Sequence, residues 1–214
     1  MLKAALFDLD GVVFDTEPQY TEFWGEQCRE FRPDISGLEH IIKGQTLIQI
    51  YDKYFDIADV RDKITSRLDN FEQQMTFDYI TGFVSFLNDL REHSIKTAVV
   101  TSSNISKMQS VYRQHPEFKS LFDAILTSED FEYSKPHPDC YLKAAARFGV
   151  DSALCVVFED SINGLKSGNA ANMCVIGLAT TNAAEVISNL SDYVISDYSH
   201  LTIKKIERIM SHSR

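Results

Sequence analysis

Three short and almost uninterrupted apolar runs, each closing on acids or hydroxyls, constrain the fold of this chain more than any other feature. They are KAALFD (Lys3–Asp8), KTAVVT (Lys96–Thr101) and LCVVFED (Leu154–Asp160). Runs of this length without polar alternation read as strands buried on both faces, the habit of parallel sheets. Shorter runs at Asp123–Leu126, Met173–Gly177 and Tyr193–Ile195 read as further strands. Helical periodicity separates them. Phe83, Phe86, Leu87 and Leu90 fall on one face, and so do Tyr141, Leu142, Ala145 and Phe148, ahead of a stop at Gly149. Strand and helix in alternation predict an α/β fold, a parallel sheet with helices on both faces. Chemistry in such sheets collects beyond the carboxyl ends of the strands. The acids and hydroxyls stand there.

Phe14 to about Ile80 breaks the alternation, with helical patterns rich in Glu, Asp, Gln and aromatics and no buried strand. A crossover needs one helix, which Gly82–His93 supplies, and the preceding residues are too many for a loop. The expectation is an inserted α-helical cap over residues 14–81, on a core of residues 1–13 and 82–214. Its hinges would lie near Val13–Thr16 and Tyr79–Gly82.

The chain has 214 residues, 44% hydrophobic and 24% charged, enough apolar material for a core without a disulfide or structural metal. Its four cysteines, Cys28, Cys140, Cys155 and Cys174, form no CxxC pair and read as buried thiols rather than zinc ligands or disulfides. The net charge of −10 speaks against a nucleic-acid surface or attraction to anionic lipid, which need clustered Lys and Arg. It does not exclude a small anionic ligand, because a metal ion and a few cations reverse the field inside one cleft. The N-terminus lacks a signal-peptide pattern and no apolar run approaches a membrane span. A reduced cytoplasm is the expected compartment, and a monomer or weak homodimer the expected state.

Four motifs carry candidate chemistry. In Asp8-Leu9-Asp10-Gly11, two carboxylates one residue apart either share a site with a cation or merely form a turn. Thr101-Ser102-Ser103-Asn104 offers hydroxyls and free N–H groups, as an anion site or as the N-cap of a helix from Ile105. Lys135, between the loop Ser128–Ser134 and Pro136-His137-Pro138, is either a held charge or a solvated surface lysine. Glu159-Asp160-Ser161 closes a buried strand, where acids cost free energy unless they hold a cation or hydrogen bonds; capping the next helix is the alternative. Their order at successive strand ends is a stronger signal than any one of them.

DLDGVVFDT, TSSN, SKPHPD and FEDSINGLKSG resemble, in order, the four motifs of the haloacid dehalogenase superfamily. The resemblance spans nearly the whole chain. It is closest to the branch with a small helical cap, which includes β-phosphoglucomutase, phosphoglycolate phosphatase and sugar-phosphate phosphatases. It implies a Rossmann-like core and a Mg²⁺-dependent phosphatase acting on a small phosphorylated metabolite. A phosphomutase of the β-phosphoglucomutase type, or an inorganic pyrophosphatase, is the alternative. By resemblance, Asp8 attacks phosphorus and becomes an aspartyl-phosphate, and Asp10 is general acid and then general base. Thr101, with Ser102 and Ser103, binds the phosphoryl group, and Lys135 pairs with Asp8 and the phosphate. Mg²⁺ is held by Asp8, the Asp10 backbone carbonyl and Asp160, with Glu159 assisting directly or through water.

On the cap, Lys43-Gly44-Gln45-Thr46 resembles the loop by which the mutase grips its sugar phosphate. Glu17, Tyr20, Trp24 and Lys43 are candidates for the pocket wall, with plain packing as the other reading of the two aromatics. Leu47 stands where the mutase has an Arg for a second phosphate, and Tyr20 where it has a His of the proton relay. Both departures favour hydrolysis, and Arg67 is the candidate replacement for the missing cation.

Overall fold

The structure, a computed structural model, describes residues 1–212. Its six strands are β1 (Ala4–Phe7), β2 (Lys96–Val100), β3 (Ala124–Leu126), β4 (Cys155–Glu159), β5 (Cys174–Leu178) and β6 (Tyr193–Ile195). Four helices, α1 (Glu17–Phe31), α2 (Leu38–Ile41), α3 (Leu47–Tyr54) and α4 (Ala58–Gln74), follow β1 with no strand between them. The remainder are α5 (Phe83–Glu92), α6 (Ile105–Gln114), α7 (Phe118–Leu121), α8 (Asp139–Phe148), α9 (Ile162–Ala170), α10 (Ala184–Ile187) and α11 (Ile203–His212). Each expected strand is present, with ends shifted by a residue or so.

All strands pair in parallel, in the order β3-β2-β1-β4-β5-β6. The chain therefore winds outward from β1 in both directions, and connections diverge on either side of it. The crevice left at the carboxyl ends of β1, β2 and β4 is the expected ligand position for this topology. In register, Leu6 of β1 lies between Ala98 of β2 and Val157 of β4.

Strand residues alternate between two cores. Ala5 and Phe7 join α5, α6 and α11 through Phe83, Phe86, Met108, Val111, Ile206 and Met210. Ala4 and Leu6 join α8 and α9 through Tyr141, Ala144, Ala145 and Leu165. Phe7 stacks on Phe158 at 4.6 Å between ring centroids and meets Phe83 edge-on at 5.4 Å. Fully burying each such ring contributes roughly 1.5–3 kcal/mol. Gly149 ends α8 in the left-handed conformation, at φ 64°, as expected for a helix stop. All four cysteines are buried and free, as read from the sequence. Among the described residues, no helix is long and apolar enough to cross a membrane.

The insertion α1–α4 has its own core, built from residues such as Phe23, Trp24, Leu38, Ile50 and Ile64. The chain leaves for it and returns through paired backbone. Phe14 bridges Tyr79 in antiparallel fashion, Asp15 N donates to Asp78 O at 2.9 Å, and Ile80 N donates to Val13 O at 2.9 Å.

Candidate active site

Asp8 follows β1 directly, and its N–H donates to Phe158 O of β4 at 3.0 Å. The Lys135 ammonium donates to Asp8 Oδ1 at 2.6 Å, to Glu159 Oε1 at 2.6 Å and to the Val100 carbonyl at 3.1 Å. One buried cation thus joins the ends of β1, β2 and β4. Lys135 is only 6% exposed, so it is no solvated surface lysine. Burial would lower its pKa, but Asp8 and Glu159 outweigh that and hold it well above the ordinary lysine value.

Glu159, the last residue of β4, is fully buried. Its Oε1 accepts from Lys135 and from the Tyr141 hydroxyl at 2.9 Å. Its Oε2 accepts from Asp160 N, Ser161 N and Ser161 Oγ, each at 3.1 Å. A Cβ on Gly164 of α9 would collide with this carboxylate, so the helix approaches it as only glycine permits. Both oxygens already serve protein donors, and direct metal ligation would disturb those bonds. Asp160 is buried, accepts from the Thr181 hydroxyl through Oδ2, and its carbonyl accepts from Asn182 Nδ2 at 3.0 Å.

Asp8, Glu159 and Asp160 offer carboxylate oxygens that all lie within 4.8 Å of one another. Burial, opposed by Lys135 and reinforced by Glu159, raises Asp8 to about 7. Burial followed by Glu159 and Asp8 pushes Asp160 well above the carboxylate range. Negative charge is in surplus here, and every donor is oxygen. That donor set fits a hard divalent cation, which would relieve the repulsion.

The Asp10 side chain turns elsewhere. Its Oδ1 accepts from Thr16 Oγ1 at 2.7 Å, and its Oδ2 accepts from Ser103 Oγ at 3.1 Å and Lys107 Nζ at 2.5 Å. Of the four residues expected at the metal, three bring carboxylates together and Asp10 does not bring its own; the expectation for it rested on the backbone carbonyl. Gly11, at φ 69°, makes the turn, and a Cβ there would collide with Asp160 Oδ2. The turn reading and the site reading of Asp10-Gly11 are therefore both realised.

The same holds for the second motif. Asn104 caps α6 by accepting from Lys107 N at 2.9 Å, while Thr101, Ser102 and Ser103 line the cavity. Thr101 is buried, and its Oγ1 accepts from Ser103 N at 3.0 Å. Sequence reasoning missed Lys107, Thr16, Thr181 and Glu72. The available signal for Lys107 was its register with Met108 and Val111 on the buried face of α6. Thr181 had none beyond its position after an apolar run.

Opposite the strand ends lies a cavity of about 520 Å³ whose far wall is the insertion. Glu17, Tyr20, Thr21 and Trp24 of α1 line it, as do Thr65, Leu68, Asp69 and Glu72 of α4. Both sets follow the i, i+3, i+4, i+7 spacing of one helix face. The Tyr20 hydroxyl donates to Glu72 Oε1 at 2.8 Å, and Trp24 belongs to the insertion core while lining the cavity. Lys43 also lines the cavity, 3.9 Å from Glu17. Gln45 and Thr46 are there too, but with building tasks. Gln45 Nε2 donates to Ile41 O at 2.9 Å, and Thr46 forms a reciprocal capping box with Gln49 at the start of α3. Arg67 is not part of this wall. It donates to Gln27 Oε1 at 2.8 Å and to Glu30 Oε2 at 2.6 Å, one helical step away from the cavity-facing stripe, so it replaces no phosphate-binding cation.

Residues 5–178 match the sequence model of the family described as haloacid dehalogenase-like hydrolase. Hexitol phosphatase B of Escherichia coli (strain K12) is 26% identical over 216 residues, covering 96% of each chain. A probable pseudouridine-5'-phosphatase of Drosophila melanogaster is 30% identical over 212 residues, covering 88% of this chain and 90% of that protein. Among solved structures, a HAD hydrolase of family IA, variant 3, from Entamoeba histolytica superposes with a TM-score of 0.85 at 23% identity, covering 98% of this chain and all of that one. That last likeness concerns the fold alone.

Proposed function

The chain belongs to the haloacid dehalogenase-like hydrolase family, and from that premise we propose that it is a Mg²⁺-dependent phosphatase that hydrolyses a small phosphate monoester, a sugar phosphate or similar metabolite, through a phosphorylated Asp8. The observation that carries this reading is the buried ammonium of Lys135, 2.6 Å from both Asp8 Oδ1 and Glu159 Oε1, beside carboxylates in surplus. An anionic carboxylate approaches an anionic phosphate only where cations cancel the repulsion.

In the first half-reaction an Asp8 oxygen bonds to phosphorus, the bond from phosphorus to the ester oxygen breaks, and that oxygen takes a proton from Asp10. In the second, Asp10 takes a proton from water, whose oxygen displaces Asp8 from phosphorus. Inorganic phosphate leaves and the Asp8 carboxylate is restored. Lys135 offsets charge on Asp8 and on the transferring group, Thr101, Ser102 and Ser103 donate to its oxygens, and Glu159 keeps Lys135 in position. Mg²⁺, held by Asp8, Asp160 and the Asp10 carbonyl, would supply further positive charge against the phosphate. The insertion, residues 14–81, acts as the cap that chooses the substrate on a core of residues 1–13 and 82–214. The buried free thiols suit the reducing cytoplasm.

The names of two relatives, a hexitol phosphatase and a probable pseudouridine-5'-phosphatase, favour hydrolysis of a sugar-bearing monoester. A mutase must hold a second phosphate. Here Leu47 is apolar, Arg67 is engaged with Gln27 and Glu30, and the cavity lysines Lys43 and Lys107 already face Glu17 and Asp10. Water is then the acceptor. Phosphate release from a panel of esters and pyrophosphate, with and without Mg²⁺, tests this reading. Conversion of β-glucose 1-phosphate to glucose 6-phosphate without net phosphate release would overturn it.

Two further results are expected. Asp10→Asn slows leaving-group departure and dephosphorylation by roughly 10²–10⁴, the reach of a general acid–base group; an unaltered rate in rapid-quench measurements removes Asp10 from that role. Mg²⁺ at 100 times its Kd raises unfolding stability by about 2.7 kcal/mol. Asp160→Asn is expected to lose most of that thermal shift, and an equal shift in both proteins counts against Asp160 as a ligand.

A further inference from the structure

We infer that the wall α1 and α4 turn toward the cavity selects the leaving group by charge, accepting monophosphates whose remainder is neutral or cationic and rejecting those with a second anion, with Glu72 as the specificity-determining residue. The inference rests on the phosphatase reading and deepens it.

The helix-built wall contains three carboxylates, Glu17, Asp69 and Glu72, and no cation. Their spacing along α1 and α4 turns them to the same side, so their fields add rather than disperse. The cations that reach the cavity outside the Lys135 centre are Lys43 and Lys107. Lys43 lies 3.9 Å from Glu17 and Lys107 lies 2.5 Å from Asp10, so each already faces an acid.

Glu72 is the best-defined acceptor of the wall. The Tyr20 hydroxyl fixes its Oε1 at 2.8 Å, while its Oε2 accepts no hydrogen bond among the described residues. A hydroxyl or ammonium on the leaving group meets a held carboxylate with a free oxygen. A carboxylate or second phosphate in the same position meets repulsion in a half-buried setting, where water screens it poorly. Burial is the main cause that raises both Glu17 and Glu72 above the ordinary carboxylate value; Asp10 adds to it at Glu17 against Lys43 and Lys107, and at Glu72 Lys107 and the Tyr20 hydroxyl work against burial while Asp10 and Asp69 add to it. A cavity of about 520 Å³ has room for a range of small metabolites, so size alone discriminates little between them.

Glycerol 3-phosphate and 3-phosphoglycerate isolate the effect, because they share a phosphate and a three-carbon chain and differ in a carboxylate. With Mg²⁺ present, kcat/KM is expected to favour glycerol 3-phosphate by roughly 10²-fold, between the limits for charge pairs in water and near a protein surface. The difference should reside chiefly in KM. Glu72→Gln, which keeps an acceptor for Tyr20, should shrink the ratio by roughly tenfold or more, again through a lower KM toward the carboxylate-bearing ester. A ratio near one in the wild type, or a ratio unmoved in Glu72→Gln, overturns the inference. Calorimetric binding of the same two esters to Asp8→Asn repeats the test without turnover. If no ester of the panel releases phosphate yet the Kd ratio holds, the phosphatase reading falls and charge selection stands. Equal Kd values remove charge selection whatever the turnover.

Discussion

Asp8→Asn is expected to abolish phosphate release, with a loss on the order of 10⁴–10⁶ in kcat, the range seen when a covalent nucleophile is removed. The substitution preserves shape and takes away only the anionic oxygen. Lys135 keeps its bonds to Glu159 and Val100, so the strand ends stay joined. Folding should not suffer. Asp8 is raised from 3.8 to about 7, mainly by burial, so its contribution to stability is present below the unfolded value and is lost as pH rises through about 7. In a chelating buffer at neutral pH, Asp8→Asn should therefore unfold no earlier than the wild type and show a flatter pH dependence above pH 4. Intact mass after acid quench adds a direct check. The wild type should gain one phosphoryl group from a reactive ester, and the variant none. Retention of more than a few per cent of activity contradicts the covalent route.

Lys135→Met has the opposite profile, with activity and fold both lost in part. The side chain is buried, and its ammonium is bonded to Asp8, Glu159 and the Val100 carbonyl. Methionine fills much of the volume but leaves two buried carboxylates facing each other without a cation. Removing one partner of a buried pair costs about 3–5 kcal/mol. Urea denaturation at pH 7 in chelator reads that cost as a lower midpoint. The loss should shrink at pH 4, where Asp8, raised to about 7, is protonated with or without the lysine. The folded pKa of Lys135 lies above the ordinary lysine value, so its stabilisation is complete below that ordinary value and is lost only as pH rises through the folded one. Arginine should not rescue activity, because its planar fork does not reproduce one nitrogen donating to three oxygens. An unchanged urea midpoint would end the account of Lys135 as the counter-charge.

The sheet was legible because a strand buried on both faces must be apolar throughout, and a polar residue at its end then stands out. Asp8, Thr101 and Glu159-Asp160 stand out in that way, and Lys135 through the prolines that follow it. The insertion was legible as a length of helix without a strand, but its faces were not. Helix α4 buries only Ile64 fully, so its apolar pattern is too sparse to orient it. Arg67 and Leu68 are adjacent in sequence yet about 100° apart around the axis. That rotation sends Arg67 to Glu30 and leaves the cavity to Leu68, Asp69 and Glu72. Lys107 escaped notice for a related reason: a lysine on an inward face looks like a surface residue until its partner, Asp10, arrives from 97 positions away in the chain.

The middle strand of the sheet is the first one made. β1 ends at Phe7, yet it pairs with β2 and β4, and the core beneath it is completed by Tyr198, whose ring lies 5.4 Å from Phe86 and whose hydroxyl donates to Val12 O at 3.2 Å. A polypeptide leaving the ribosome cannot finish this core piece by piece. β1 must wait for β2, β4 and Tyr198, and pairings so distant along the chain are slow to form. The helical insertion, whose partners are near neighbours in sequence, is free to close much earlier. The carboxylate cluster at the mouth of β1, β2 and β4 therefore cannot assemble until β4 has been made, well after the insertion.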